Sequence, residues 1–253
     1  MFKKLIAGIA LFATLSQAAW DNVPILKKGS GQVAAEIEYL SMDPISGIAL
    51  GAGVRYSALN WLELSAILPY GFFSADTKEG SQDFSGLMNM QLGVRFQITQ
   101  GFGLYADALL PGDSDVADDQ LSINFGLQHS NLFTSITWAK YLGYMLGDAW
   151  SNQYLYFGTE LQFLFDHFVI YGDLKIIMGQ ESDHYSCSGY SYTYHCEGET
   201  GGQNGISINL GFKLDLSEQF TLDFGVNLNS GDRFTRSGTD EPTAFSVTGF
   251  YNF

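Results

Sequence analysis

Apolar residues recur at every second position along nearly the whole chain, in runs long enough to cross a bilayer. Val33, Ala35, Ile37 and Tyr39 alternate with Ala34, Glu36 and Glu38. Ile48, Leu50, Ala52, Val54 and Tyr56 alternate with Ala49, Gly51, Gly53 and Arg55. The same holds for Met88, Met90, Leu92, Val94 and Phe96, for Ile206 to Leu214, and for Phe220 to Leu228. A period of two belongs to a strand with two unlike faces. The apolar face is sustained for about 9–11 residues, the length a tilted strand needs to cross hydrocarbon. Strands of a soluble sandwich are shorter, about 5–6 residues. Here the second face is polar or glycine in strand after strand.

Composition closes off the alternatives. The chain has 29 Gly, 14 Tyr and 20 Phe, with only 15% charged residues. Beyond the first residues, no apolar run reaches the roughly 20 positions of a spanning helix. A membrane protein without such helices must be a closed barrel, because open sheet edges cannot be satisfied in lipid. The spacing predicts an all-β fold, a single antiparallel up-and-down transmembrane β-barrel. Its strands are expected near 32–41, 47–57, 61–70, 86–98, 102–110, 120–129, 132–142, 153–163, 168–179, 205–216, 219–229 and 243–253. That even count returns both ends to one side.

The connections sort by parity. Ala58 to Asn60, Thr99 to Gly101, Ser130-Asn131, Leu164 to His167 and Ser217-Glu218 read as tight turns. Long loops lie between them at 71–85, 111–119, 143–152, 180–204 and 230–242, with only 42–46 short. Short periplasmic turns and longer outer loops are the pattern of outer-membrane barrels. Aromatic pairs flank the short turns: Tyr56 with Trp61, Phe96 with Phe102, Phe163 with Phe168, and Phe212 with Phe220. Such rings favour the membrane–water boundary. Strand 132–142 leaves its register open between Phe133 with Tyr141 and Ile136 with Trp138 facing lipid.

The start of the chain reads as an export signal. Lys3 and Lys4 precede the apolar run Leu5 to Leu15, and Ser16-Gln17-Ala18 offers small residues for cleavage. Residues 1–18 are expected to be a signal peptide, 19–31 a periplasmic lead-in and 32–253 the barrel. The destination is the outer membrane of a Gram-negative bacterium. The formal charge of −15 becomes more negative once two lysines leave with the signal. That excludes nucleic acid as a partner, since phosphate binding needs a basic surface.

The last strand carries Phe245, Val247, Gly249, Tyr251 and Phe253 on one face. Tyr251 and Phe253 at the chain end resemble the sorting signal read by the outer-membrane assembly machinery. A second resemblance spans Leu62 to Gly71, Leu92 to Phe96 and Gly103 to Asp113. These stretches look like the outer-membrane barrels of the MetA pathway of phenol degradation family. The Leu110-Pro111-Gly112-Asp113 element is one residue tighter than that family's pattern. The resemblance implies a transport barrel of about this size, without catalytic residues to carry over.

The inward face supplies the first candidate site. It carries Glu36, Glu38, Glu63, Asp107, Glu160, Asp173, Asp215 and Asp223, with Arg55, Arg95, Lys175, Lys213 and Lys140 among them. About eight strands leave a filled interior and about sixteen a water channel. Twelve fit either a narrow, mildly cation-preferring pore or a set of neutralising pairs. Loop 180–204 holds both cysteines, Cys187 and Cys196, for which export predicts a disulfide. It also holds Tyr185, Tyr190, Tyr192 and Tyr194. His184 and His195 flank the cysteines, but the spacing matches no zinc pattern. Asp113, Asp115, Asp118 and Asp119, and Asp240 with Glu241, read as solvated charge rather than a calcium loop. No metal or cofactor is expected.

His129-Ser130-Asn131 is similar in letters to the site of outer-membrane lipid hydrolases, but it falls at a short turn and reads as turn residues. No GxSxG element is present, and no enzyme is expected. Two functions follow. One is a passive channel for small solutes, with outer-membrane lipid, lipopolysaccharide and the assembly machinery as its surroundings. The other is a closed structural or surface-binding barrel that presents its loops.

Overall fold

A computed structural model describes residues 24–77, 80–113, 115–117, 120–147, 153–179, 182–188, 195–201, 204–231 and 241–253. The proposed signal peptide, Asp118, Asp119, Asp240, Tyr190, Tyr192 and Tyr194 lie outside them. The described strands are β1 (Gly31–Met42), β2 (Ile45–Leu59), β3 (Leu62–Thr77), β4 (Gly80–Leu87), β5 (Gln91–Thr99), β6 (Phe102–Leu109), β7 (Ser122–Leu132) and β8 (Ile136–Leu146). They continue with β9 (Tyr154–Leu164), β10 (Phe168–Gly179), β11 (Ser182–Ser188), β12 (His195–Gly201), β13 (Gly205–Asp215), β14 (Phe220–Ser230) and β15 (Thr243–Asn252).

Successive wall strands pair antiparallel, β3 with both β4 and β5 and β10 with β13, and β1 pairs with β15 to close the ring. The result is a closed barrel of 12 strands, with β4 and β5 sharing one position in the wall. The pair β11 and β12 forms a separate hairpin. At the closing seam Gly31 and Phe253 exchange both backbone hydrogen bonds, at 2.8 and 2.9 Å. The Phe253 ring covers Gly31, where a Cβ would have no room.

The two faces are inverted relative to a soluble protein. Ile37 is 58% exposed and Trp61 50% exposed on the outside, while Glu63 and Glu160 are buried inside. A largely apolar exterior of this extent needs a hydrocarbon surround. Aromatic rings gather at the short-turn end. Trp61 stacks on Phe96, Phe165 on Phe168, and Phe212 on Phe224.

Four local expectations are corrected. Met88 does not face outward. The wall strand breaks at residues 88–90, where β3 passes from β5 to β4 as its partner. The break shifts the phase by one residue, so Leu87 and Leu92 point out and Met88 is buried inside. Ser130-Asn131 is not a turn, since β7 runs on to Leu132 and Asn131 pairs with Trp138. That register settles β8: Trp138 and Leu142 face outward, and Tyr141 is buried inside. Lys140 therefore faces outward as well, because it shares the parity of Trp138. Loop 71–85 is in part a continuation of strands, with β3 and β4 forming a hairpin above the wall.

Candidate functional site: a layered barrel interior

The interior changes character along the barrel axis. At the long-loop end it is apolar. Leu40 and Met42 of β1, Ile45 and Ala49 of β2, Phe73 and Ala75 of β3, Met88 and Ala244 form one buried cluster. They occupy the inward parity of their strands, continuing the rows of Glu36, Glu38 and Ser65. Val116 and Ala117 complete the cluster from the segment after β6, and Val116 is 0% exposed.

That segment is tied down by its backbone. Asp113 N–H donates to Leu87 O at 2.7 Å, and Val116 and Ala117 N–H both donate to Asp113 O. Asn89 Nδ2 donates to Leu110 O at 2.9 Å. The freed polar groups of the wall break thus hold the inward-turned segment in place. A second apolar cluster on β6 to β10 joins Leu109, Met145 and Ile177 with Tyr105, Tyr141, Tyr154 and Tyr156.

Below lies a layer of tyrosine–carboxylate braces. Tyr141 of β8 lies over Gly158 of β9 and donates to both oxygens of Asp173 on β10, at 2.9 and 2.8 Å. Tyr171 of β10 lies over Gly211 of β13 and donates to Asp223 on β14 at 2.9 Å. In each case the ring spans the middle strand, and a Cβ on that strand's glycine would collide with it. Tyr105 lies over Gly126 and Gly143 in the same manner, and its hydroxyl meets that of Tyr156 at 2.6 Å. Tyr156 then donates to Asn124, whose amide donates to Asp107. Asp107 also holds Arg95 at 2.5 Å.

The inward cations rest on these rings. Lys175 lies 5.7 Å from the Tyr141 ring and 5.4 Å from Tyr156, and Lys213 lies 5.3 Å from Tyr171. Lys213 also pairs with Asp223 at 3.8 Å. Such contacts gain when water is excluded. Glu160 is 0% exposed and accepts from Gln162. Glu38 is buried beside this layer, and Glu36 is half-buried.

At the short-turn end the interior is polar and crosses the seam. Gln32 of β1 donates to Asn252 of β15 at 2.6 Å, and Arg55 of β2 donates to Gln32 at 3.0 Å. Arg55 stands 3.8 Å from Glu63 of β3. The N-terminal segment enters this mouth. Leu26 N–H donates to Glu63 at 2.8 Å, Ile25 N–H donates to Gln97 at 2.9 Å, and Ile25 is buried. The lead-in is thus part of the barrel's closure rather than a free strand. Inward residues here, such as Lys213, Thr221 and Thr248, remain half-exposed. Asp215 sits exposed at the rim, where it accepts from Thr221 at 2.7 Å.

The remaining candidates separate. His129 and Asn131 face outward while Ser130 is buried inside, so the His–Ser letters do not share a face. Cys187 and Cys196 are register partners across β11 and β12. The apolar layer and the tyrosine braces went unnoticed in sequence, although their parity matches the acidic positions.

Neither a family model nor a curated relative matches this chain. Its fold matches solved barrels. An outer membrane channel from Pseudomonas putida F1 aligns with a TM-score of 0.68 at 10% identity, over 92% of this chain and 99% of that one. The monoaromatic hydrocarbon channel CymD aligns at 0.52 and 11% identity, over 98% and 93%. The porin KdgM, solved with oligogalacturonate, aligns at 0.53 and 12% identity, over 87% and 99%. At these identities the likeness is one of fold, and the fold is that of an outer-membrane β-barrel.

Proposed function

We propose that this protein is an outer-membrane channel that passes small solutes passively. The observation that carries the reading is the layered interior. An apolar layer packed against Val116 and Ala117 stands in line with a polar, half-exposed layer that Ile25 and Leu26 enter. Val116 and Ala117 come from the segment after β6 and not from a wall strand, so they can leave the layer without opening the wall.

The layer nearer the long loops suits apolar or amphiphilic solutes, whose apolar surface leaves water on entering it. The structural neighbours include a hydrocarbon channel and a porin solved with a sugar polyanion, so the solute class rests on these residues and not on likeness. Interior acids outnumber interior bases: Glu36, Glu38, Glu63, Asp107, Glu160, Asp173 and Asp223 face Arg55, Arg95, Lys175 and Lys213. Ions passing the polar layer would therefore be mainly cations.

Export fits the same reading. Residues 1–18 would be cleaved as a signal peptide, Tyr251 and Phe253 would engage the assembly machinery, and Cys187–Cys196 would form a disulfide on the outer hairpin. The barrel would sit among phospholipid and lipopolysaccharide of a Gram-negative outer membrane.

A second reading is a closed barrel that presents its loops. The braces that join Tyr141, Tyr171 and Arg95 to carboxylates favour it. One experiment separates the two. Refolded protein in liposomes and planar bilayers is expected to show small conductance and uptake of small amphiphiles. A folded barrel with neither would overturn the channel and leave the structural reading.

A further inference from the structure

Most polar side chains of the wall face inward, but one group on β7, β8 and β9 faces out. Outward positions run Ile123, Phe125, Leu127, His129 and Asn131 on β7, and Ile136, Trp138, Lys140 and Leu142 on β8. Among the described residues, Lys140 is the only lysine or arginine on the outward face of the barrel strands. A cation on a hydrocarbon-facing wall is costly unless it reaches the interface or a partner.

Lys140 is held in position. Its ammonium donates to Asn131 Oδ1 at 2.8 Å and lies 3.6 Å from the centre of the Trp138 ring. The Trp138 indole N–H donates to Thr159 Oγ1 at 2.7 Å, and the Thr159 hydroxyl donates to Ala139 O at 3.1 Å. Asn131 and Trp138 both lie closer to the β7–β8 turn than Lys140 does. The ammonium is therefore drawn toward the short-turn rim, where Phe102 and Phe163 lie at the strand ends.

Donors are left over at that point. An ammonium carries three hydrogens, and one is used by Asn131. The Asn131 amide has its own N–H pair. His129 is the register partner of both Lys140 and Phe102, and its imidazole has no hydrogen-bond partner among the described residues. These groups surround one spot on the wall, with apolar Leu127, Leu142, Phe157 and Leu161 beside it.

Unused donors next to a cation, at the border of an acyl-chain surface, fit an anionic oxygen attached to a lipid. We infer that His129, Asn131 and Lys140 bind the phosphate of a phospholipid in the leaflet at the short-turn end, whose acyl chains lie along the neighbouring apolar wall. This site depends on the chain spanning a membrane and is independent of whether the interior conducts.

Native mass spectrometry of the refolded barrel tests it. The probes are phosphatidylglycerol, phosphatidylcholine and uncharged diacylglycerol. Both phospholipids are expected to remain bound, one per barrel, and diacylglycerol to be lost. Lys140→Gln and His129→Ala should each weaken phospholipid retention, Lys140→Gln by about tenfold, the loss of one charge-assisted hydrogen bond. Lys140→Arg should retain it. Heat-modifiable gel mobility reports that each variant is folded, and His129→Ala gives the answer should Lys140→Gln fail to assemble. Equal retention of diacylglycerol, or retention unchanged in both variants, would overturn the site. So would a dimer that Lys140→Gln dissociates, which would assign the patch to a second copy of the chain.

Discussion

The hydroxyl of Tyr141 reaches Asp173 two strands away, at 2.8 and 2.9 Å from its carboxylate oxygens, by lying across Gly158. The arrangement needs all three residues. The tyrosine is the donor, the carboxylate the acceptor, and the glycine leaves the space between them. Tyr171, Gly211 and Asp223 repeat it on the next part of the wall.

Either end of the brace can be cut. Tyr141→Phe leaves a buried carboxylate without its donor, at a cost of about 1–3 kcal/mol. Gly158→Val forces the ring off its strand, for a similar cost of about 1–3 kcal/mol. Both should lower the urea midpoint of the folded barrel in micelles. Because they act on one brace, the double variant should lose less than the sum of the two.

Val116 is expected to hold the apolar layer closed. Val116→Asp would bury an unpaired charge, so the segment after β6 should leave the cluster. Single-channel conductance should rise, and the barrel should stay folded, because its hydrogen-bonded wall does not include Val116. Unchanged conductance would show that the obstruction lies elsewhere, with Ile25 and Leu26 the next place to cut.

Phe253 pairs with Gly31 at the seam and covers it. A chain ending at Asn252 loses this contact and the terminal aromatic of the sorting pattern. Its yield in the outer membrane should fall several-fold in cells, while the small fraction that assembles conducts as before. Equal yield would remove the sorting role and leave the barrel as described.

Cys187 and Cys196 face each other in the β11–β12 register. Protein purified without reductant should resist maleimide labelling at both positions and take two labels after reduction. Cys187→Ser should expose Cys196 to one label and leave conductance unaltered, since the hairpin is separate from the wall.

Much of this barrel could be read from alternation because the membrane demands it: Ile37 and Glu38 cannot exchange faces without exposing a charge to lipid. Loop lengths added orientation, since Ser217-Glu218 allows only a hairpin. Four things were hidden for physical reasons. The break at residues 88–90 keeps the run apolar while shifting its phase, so Met88 looks identical to its outward neighbours. Ser130 and Asn131 have turn chemistry, yet Asn131 is held in the strand by Lys140 and by pairing with Trp138. The apolar layer is masked because Leu40, Met42, Ile177 and Met145 sit at strand ends, where an inward apolar residue and a loop anchor look alike. Their parity with Glu38, Lys175 and Tyr141 was the available signal. Tyrosine braces need a glycine on one strand and a carboxylate on the next, a relation that appears only once the register is known.

The seam has a consequence for how the wall comes into being. Gln32 and Asn252, which meet across it, are separated by 220 positions in the chain. Closing so long a loop is deferred until the intervening strands are aligned. Until then the molecule is an open sheet with two raw edges and an apolar face, the form most prone to pair with a stranger. The polar row from Asn252 through Gln32 to Arg55 and Glu63 can form only at the last step. The barrel gains its own protection only when the two edges join.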